Sequence, residues 1–176
     1  MGDNYVIERN GVPIAISLSH EPGCYVWYGG ESELTYHIMD GLYKYRDKVV
    51  GGLVLDVGTG TGVIAIYASK LGAKSVLATD ISDDAIKCAI YNIARNNVDV
   101  TVVKNDLTNG ITDRYDVIIA NLPMAMIKES LDTIMQNLKD DGILLCTWDN
   151  TEPCNYEYYD RLTGKDFDGL IFRRSK

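Results

Sequence analysis

The chain has 176 residues, 46% of them hydrophobic and 24% charged, with 25 acidic against 17 basic side chains and a formal charge of −8. That length carries one core-forming domain, and no apolar run is long enough for a membrane span. The acidic balance disfavours a nucleic-acid groove, which draws its affinity from a basic stripe; here only Lys44–Lys48 and Arg173–Lys176 cluster, and both read as solvated.

The N-terminus, MGDNYVIERN, has neither the basic start nor the apolar core of a secretory signal. Cys24, Cys88, Cys146 and Cys154 are dispersed and form no CxxC pair. A reduced, cytoplasmic protein without zinc or disulfides is expected. In YVIERNGVPIAIS, Asn10-Gly11 between two apolar runs signals a two-residue hairpin, and Pro13 confines the second run to an edge. The glycine- and aromatic-rich stretch EPGCYVWYGG follows, then a helix from about Ser32. No linker or repeat sets residues 1–50 apart, so they are expected to pack on the core as a capping hairpin, loop and helix.

From residue 51 to 176 strands and helices alternate. GLVLDVG is a buried-strand run, VIAIYASKLG a helix stopped at Gly72, and SVLATD the next strand. Ser82 is placed to cap a helix whose Ile86, Ala89, Ile90 and Ile93 share a face. VTVVKND and YDVIIAN supply two more strands; Pro123 opens a helix with Ile127, Leu131, Ile134 and Leu138 at helical spacing. GILLCTW is the fifth strand of this series and GLIFRR the last, with an aromatic patch at Tyr156, Tyr158 and Tyr159 expected on a helix between them. The pattern predicts an α/β, doubly wound, mostly parallel sheet of six or seven strands with helices on both faces. The tail after Trp148 is short for a helix and a strand pair, so one strand there is expected to be missing or very short.

In such a sheet, ligands bind beyond the carboxyl ends of the strands. LDVGTGTG lies at one such end, and its alternating Gly58, Gly60 and Gly62 suggest a backbone kept bare for close approach of a ligand. Asp80 ends the next strand, where a carboxylate can accept from both hydroxyls of a ribose. Asp106 ends the third, where it can accept from an adenine amino group or cap a turn. Asp56 precedes the glycines, where it would repel a pyrophosphate and attract a cation. That disfavours a dinucleotide, whose usual GxGxxG spacing is also absent.

Taken together, these residues resemble the class I S-adenosylmethionine-dependent methyltransferases over residues 51 to about 148. Within that superfamily the chain is most similar to the ribosomal-protein methyltransferase (PrmA) family and its small-domain relatives. Pro22-Gly23, Tyr28-Gly29-Gly30 and Thr35 look like that family's loop before the fold. The resemblance further implies that the family's N-terminal domain that docks the ribosomal protein is missing here. The resemblance implies S-adenosylmethionine as cofactor, bound by Tyr28, Asp56, Gly58, Thr59, Gly60, Gly62, Asp80, Ile81, Asp106, Leu107 and Asn121, with no metal.

Asn121-Leu122-Pro123-Met124 resembles the (N/D)PP(Y/F) motif of amino-group methyltransferases, in which the Asn oxygen and a proline carbonyl accept from the target NH₂. On that likeness Asn121 and Pro123 are the catalytic candidates. Leu122 and Met124 replace the second proline and the aromatic ring, so the stacking platform falls to Trp27 or Tyr28. His20 and His37 are the only histidines, and neither is a convincing base.

The expected activity is therefore methyl transfer to a nitrogen of a protein or small-molecule acceptor. A nucleic-acid base methyltransferase, a dinucleotide oxidoreductase and a catalytically silent cofactor-binding subunit stay open as alternatives.

Overall fold

A computed structural model describes residues 4–18, 32–149, 154 and 157–174. Asn10 and Gly11 both take positive φ, 54° and 77°, as a tight turn between right-twisted strands requires. The strands it joins, β1 (Asn4–Arg9) and β2 (Val12–Ser17), pair antiparallel as a separate two-stranded sheet, with Glu8 opposite Pro13. Helix α1 (Glu33–Lys44) starts at Ser32, whose hydroxyl accepts the Thr35 N–H. A short α2 (Arg46–Val49) follows, which no periodicity announced.

The main sheet is built from β3 (Leu53–Val57), β4 (Ser75–Asp80), β5 (Thr101–Lys104), β6 (Tyr115–Ala120), β7 (Leu138–Asp149), β8 (Asp160–Leu162) and β9 (Phe167–Arg173). Helices α3 (Val63–Lys70), α4 (Asp83–Asn96) and α5 (Met124–Gln136) connect them. The strand order is β5-β4-β3-β6-β7-β9-β8; the first five run parallel, and β9 is antiparallel to both its neighbours. The sheet thus has seven strands, and the short one is β8, three residues long.

Strand alternation sorts the core into two faces. Val54, Val76, Val117, Ile119, Ile143, Leu145 and Ile171 pack with α1, α3 and the hairpin residues Ile7, Ile14 and Ile16. Leu55, Val57, Ile118, Leu144, Cys146 and Phe172 pack with Ile127, Leu131 and Ile134 of α5. Each such side chain, fully buried, contributes roughly 1.5–3 kcal/mol, so both layers are held strongly.

Several local expectations need correction. Leu138 is the first residue of β7, opposite Tyr115 across an irregular register, and not the last turn of α5. Ile90 is 52% exposed; the buried face of α4 carries Ala85, Cys88, Ala89, Asn92 and Ile93. Tyr158 and Tyr159 are not helical, and Tyr159 lies under the Arg173 guanidinium with Tyr45 at its edge. Tyr156, with Trp27, Tyr28, His20 and Cys24, lies outside the described residues.

Candidate active site

A cavity of about 1000 Å³ opens at the carboxyl ends of all five parallel strands. Gly58, Thr59 and Gly60 follow β3; Asp80, Ile81 and Ser82 end β4; Asn105, Asp106 and Leu107 follow β5. Asn121, Leu122, Pro123 and Met124 follow β6, and Thr147, Trp148 and Asp149 end β7. Phe167 from β9, Ser32 and Leu34 from α1, and Tyr5 and Leu18 from the hairpin complete much of the wall. The strand order reverses between β3 and β6, so the cavity sits at the switch point where α/β sheets leave a crevice.

The three glycines have different reasons to be bare. A Cβ on Gly58 would collide with the Leu122 side chain, and one on Gly62 would come within 3.2 Å of Ala89 in α4. Both also adopt positive φ, 73° and 80°. At those two positions the close neighbour is the protein itself. Gly60 is the middle one, at φ 56°, and it lines the cavity. Gly62 does not.

Asp80 is fixed by two backbone donors at 2.9 Å, Gly60 N–H on Oδ2 and Ser82 N–H on Oδ1. Those bonds hold the carboxylate at the rim between the β3 turn and α4, and each oxygen keeps acceptor capacity. Asp106 is exposed on the far wall, where its carbonyl accepts the Asn109 N–H at 3.0 Å; it caps a turn and faces the cavity as well. Leu107 beside it has φ 50°, an uncommon conformation for a leucine.

Asp56 departs from the expectation of a cavity-facing anion. It is 1% exposed and lies outside the lining, where the Thr59 hydroxyl donates to Oδ2 at 2.6 Å. Burial pushes its carboxyl up to about 6, the Thr59 bond opposes that, and Asp80 adds repulsion. Asp56 thus stands behind Thr59, which does line the cavity.

Asn121 accepts the Thr147 hydroxyl on Oδ1 at 3.2 Å, a link between the ends of β6 and β7. Thr147, Trp148, Asp149 and Phe167 were not singled out as site residues in the sequence, and Asn105 was given no role beside Asp106. The strand-end rule reaches the first three and Asn105; Phe167 is brought by the antiparallel return of β9 and left no local signal. His37 lies on α1, 3.4 Å from Glu33 and away from the cavity lining. Among the described residues no group of three or more His, Cys, Asp and Glu is placed to hold a metal, and no helix is long and apolar enough to cross a membrane.

The family model for ribosomal protein L11 methyltransferase (PrmA) matches residues 30–147, which run from α1 through most of β7 and include the cavity-lining ends of β3, β4, β5 and β6. The chain belongs to that family. It is 40% identical over 116 residues to the ribosomal protein L11 methyltransferase of Caldicellulosiruptor saccharolyticus, covering 66% of this chain and 38% of that one. The Dictyoglomus turgidum relative is 40% identical over 138 residues, covering 78% and 45%. The chain thus spans less than half the length of these family members. The crystal structure of a ribosomal protein L11 methylase from Lactobacillus delbrueckii subsp. bulgaricus superposes with a TM-score of 0.72 at 30% identity, covering 83% and 81%. A 16S rRNA N2 G1207 methyltransferase from T. Thermophilus, in complex with AdoMet and guanosine, superposes with a TM-score of 0.82. At 14% identity, over 99% of this chain and 51% of that one, it shares the fold alone.

Proposed function

We propose that this chain transfers a methyl group from S-adenosylmethionine to a nitrogen of a protein acceptor, with ribosomal protein L11 as the first candidate. The observation that carries the reading is a single cavity uniting the Gly58–Gly60 turn, Asp80, Asp106 and Asn121 in a member of this family. The residues present fit the cofactor. Asp80 would accept the ribose hydroxyls, Gly60 would let the backbone approach closely, and Asp106 would meet the adenine edge. Thr59 and Asp56 would add negative potential under the turn. When bound, S-adenosylmethionine supplies an electrophilic methyl group on a sulfonium.

The chain's own contribution is alignment. A neutral amine needs no strong base, and holding the reacting groups in line in a dry site can supply up to ~7–11 kcal/mol in favourable cases. Asn121 Oδ1 is the acceptor proposed to aim the amine; Pro123, the other candidate, has its carbonyl taken up by the Met126 and Ile127 N–H groups at 2.9 and 3.2 Å in the first turn of α5. Phe167 is an aromatic wall in the same cavity, where Met124 takes the place of the motif's ring.

Calorimetry tests the cofactor half. S-adenosylhomocysteine should bind, NAD far more weakly, and Asp80→Ala should weaken S-adenosylhomocysteine at least tenfold, since charged hydrogen bonds are worth roughly 1.5–3 kcal/mol each. Tighter binding of NAD would overturn the reading. Labelled S-adenosylmethionine with purified ribosomal protein L11 tests the acceptor half, and an unlabelled L11 would remove it as the substrate.

A further inference from the structure

Asn121 stands where a strand gives way to a helix, and the simplest role for an asparagine there is to cap that helix. The structure excludes this role. Pro123 is the N-cap residue of α5, and no side chain makes a capping hydrogen bond. Asn121 Oδ1 is engaged elsewhere, by the Thr147 hydroxyl at the end of the neighbouring strand. Thr147 is 4% exposed, in a strand paired on both sides, through Cys146 to Ala120 and directly to Gly169. Its β-branched side chain has little rotamer freedom, so its hydroxyl oxygen is held at a fixed place beside Asn121. Both residues also line the cavity.

We propose that Thr147 is a positioning residue: its hydroxyl anchors the Asn121 carboxamide that meets the methyl acceptor. This rests on the methyltransfer reading above. A primary amide is nearly symmetric in shape, and a half-turn about its terminal torsion exchanges an acceptor for a donor. Thr147 donates to Oδ1 and so ties the carboxamide down; the second lone pair of that oxygen remains for an N–H of the acceptor. Without the hydroxyl the carboxamide loses this anchor and turns more freely, including to orientations that present an NH₂ to an incoming amine. A site built this way rewards an acceptor that donates a hydrogen bond and disfavours one that can only accept.

Thr147→Val keeps the shape and removes the donor; Thr147→Ser keeps the donor. In nitrogen-15 spectra of the free protein, the Asn121 side-chain amide pair, assigned through its loss in Asn121→Ala, should shift in Thr147→Val and stay near its original position in Thr147→Ser. With ribosomal protein L11 as acceptor, Thr147→Val should lower kcat roughly five- to tenfold with KM and S-adenosylhomocysteine affinity nearly unchanged, the scale of one neutral hydrogen bond. Thr147→Ser should recover most of that rate. An Asn121 amide signal indifferent to Thr147→Val overturns the proposal, and so does a shifted signal with unchanged turnover. Wild-type protein that leaves L11 unmethylated would instead overturn the acceptor assignment, while the amide signal still decides whether Thr147 orients Asn121.

Discussion

A carboxylate buried under the glycine turn is an expensive choice, and Asp56 makes that choice measurable. Its carboxyl sits at about 6, against an ordinary 3.8, chiefly because burial disfavours the charge. A group whose folded value is raised binds its proton more tightly in the folded chain than in the unfolded one. Its favourable contribution is therefore full below about pH 4 and is lost as pH rises through 6. At neutral pH the cost is about 3 kcal/mol, an upper figure for one group. Asp56→Asn keeps an oxygen for the Thr59 hydroxyl and removes the charge. Thermal melts should find the variant and wild type matched near pH 4, with the variant gaining ground to pH 7, by roughly 5–10 °C at most. A difference that stays flat with pH would mean that the charge at Asp56 is compensated in the fold. Asp56 also marks the limit of reading single residues: its place in the motif was visible, and its burial behind Thr59 was not.

At the scale of elements, the N-terminal hairpin is tied to the nucleus of the site by side chains that no periodicity singles out. Asn92 is fully buried on α4; its amide donates at 2.9 Å to the carbonyls of Ser17 and Thr61, and its oxygen accepts the Ser17 N–H at 2.8 Å. One turn later, Asn96 exchanges the same pair of bonds with Ala15. Two amides at i and i+4 thus stand in for a neighbouring strand and satisfy the open edge of β2. The turn end of the hairpin is held by Arg9 on Asp40 and by Asn10 Nδ2 donating to the Tyr67 hydroxyl at 3.0 Å. Helical spacing alone reads Asn92 as solvent-facing, which is why the face of α4 was misjudged by one position and Ile90 was drawn inward. Asn92→Ala removes three hydrogen bonds to buried backbone groups of Ser17 and Thr61, each worth roughly 0.5–1.5 kcal/mol net, and leaves a cavity where the amide stood. Denaturant unfolding should show a loss of about 3 kcal/mol or more, clearly larger than for Asn96→Ala, because only Asn92 also reaches Thr61 in the glycine turn. Equal losses from the two variants would show that the tie to the turn adds nothing.

Across the whole molecule, the parallel half of the sheet was legible because each strand is a short apolar run closed by a polar residue at the cavity: Asp80, Asn105 and Asn121 are all such endings. The antiparallel return was not, since β8 is three residues long and is defined by pairing with β9 and not by pattern. Of the cavity wall, Phe167 was the least legible, because it arrives only through the pairing of β9 with β7. Charge belongs to this scale too. The described cations of the two small basic clusters are largely occupied: Lys44 pairs with Asp160, Lys48 with Asp141, Arg46 lies over Tyr43 and Arg173 over Tyr159. A net charge of −8, with these two clusters engaged, disfavours phosphate contacts, so a polyanionic acceptor would be held weakly. Incubated with labelled S-adenosylmethionine and cell extract, the protein should place label in the protein fraction, and that label should survive nuclease and disappear on proteolysis. Raising the salt should change the rate little, because few counterions are released. Label that is freed by nuclease, with a rate falling steeply as salt rises, would overturn the protein acceptor and point to a base amino group at Asn121-Leu122-Pro123.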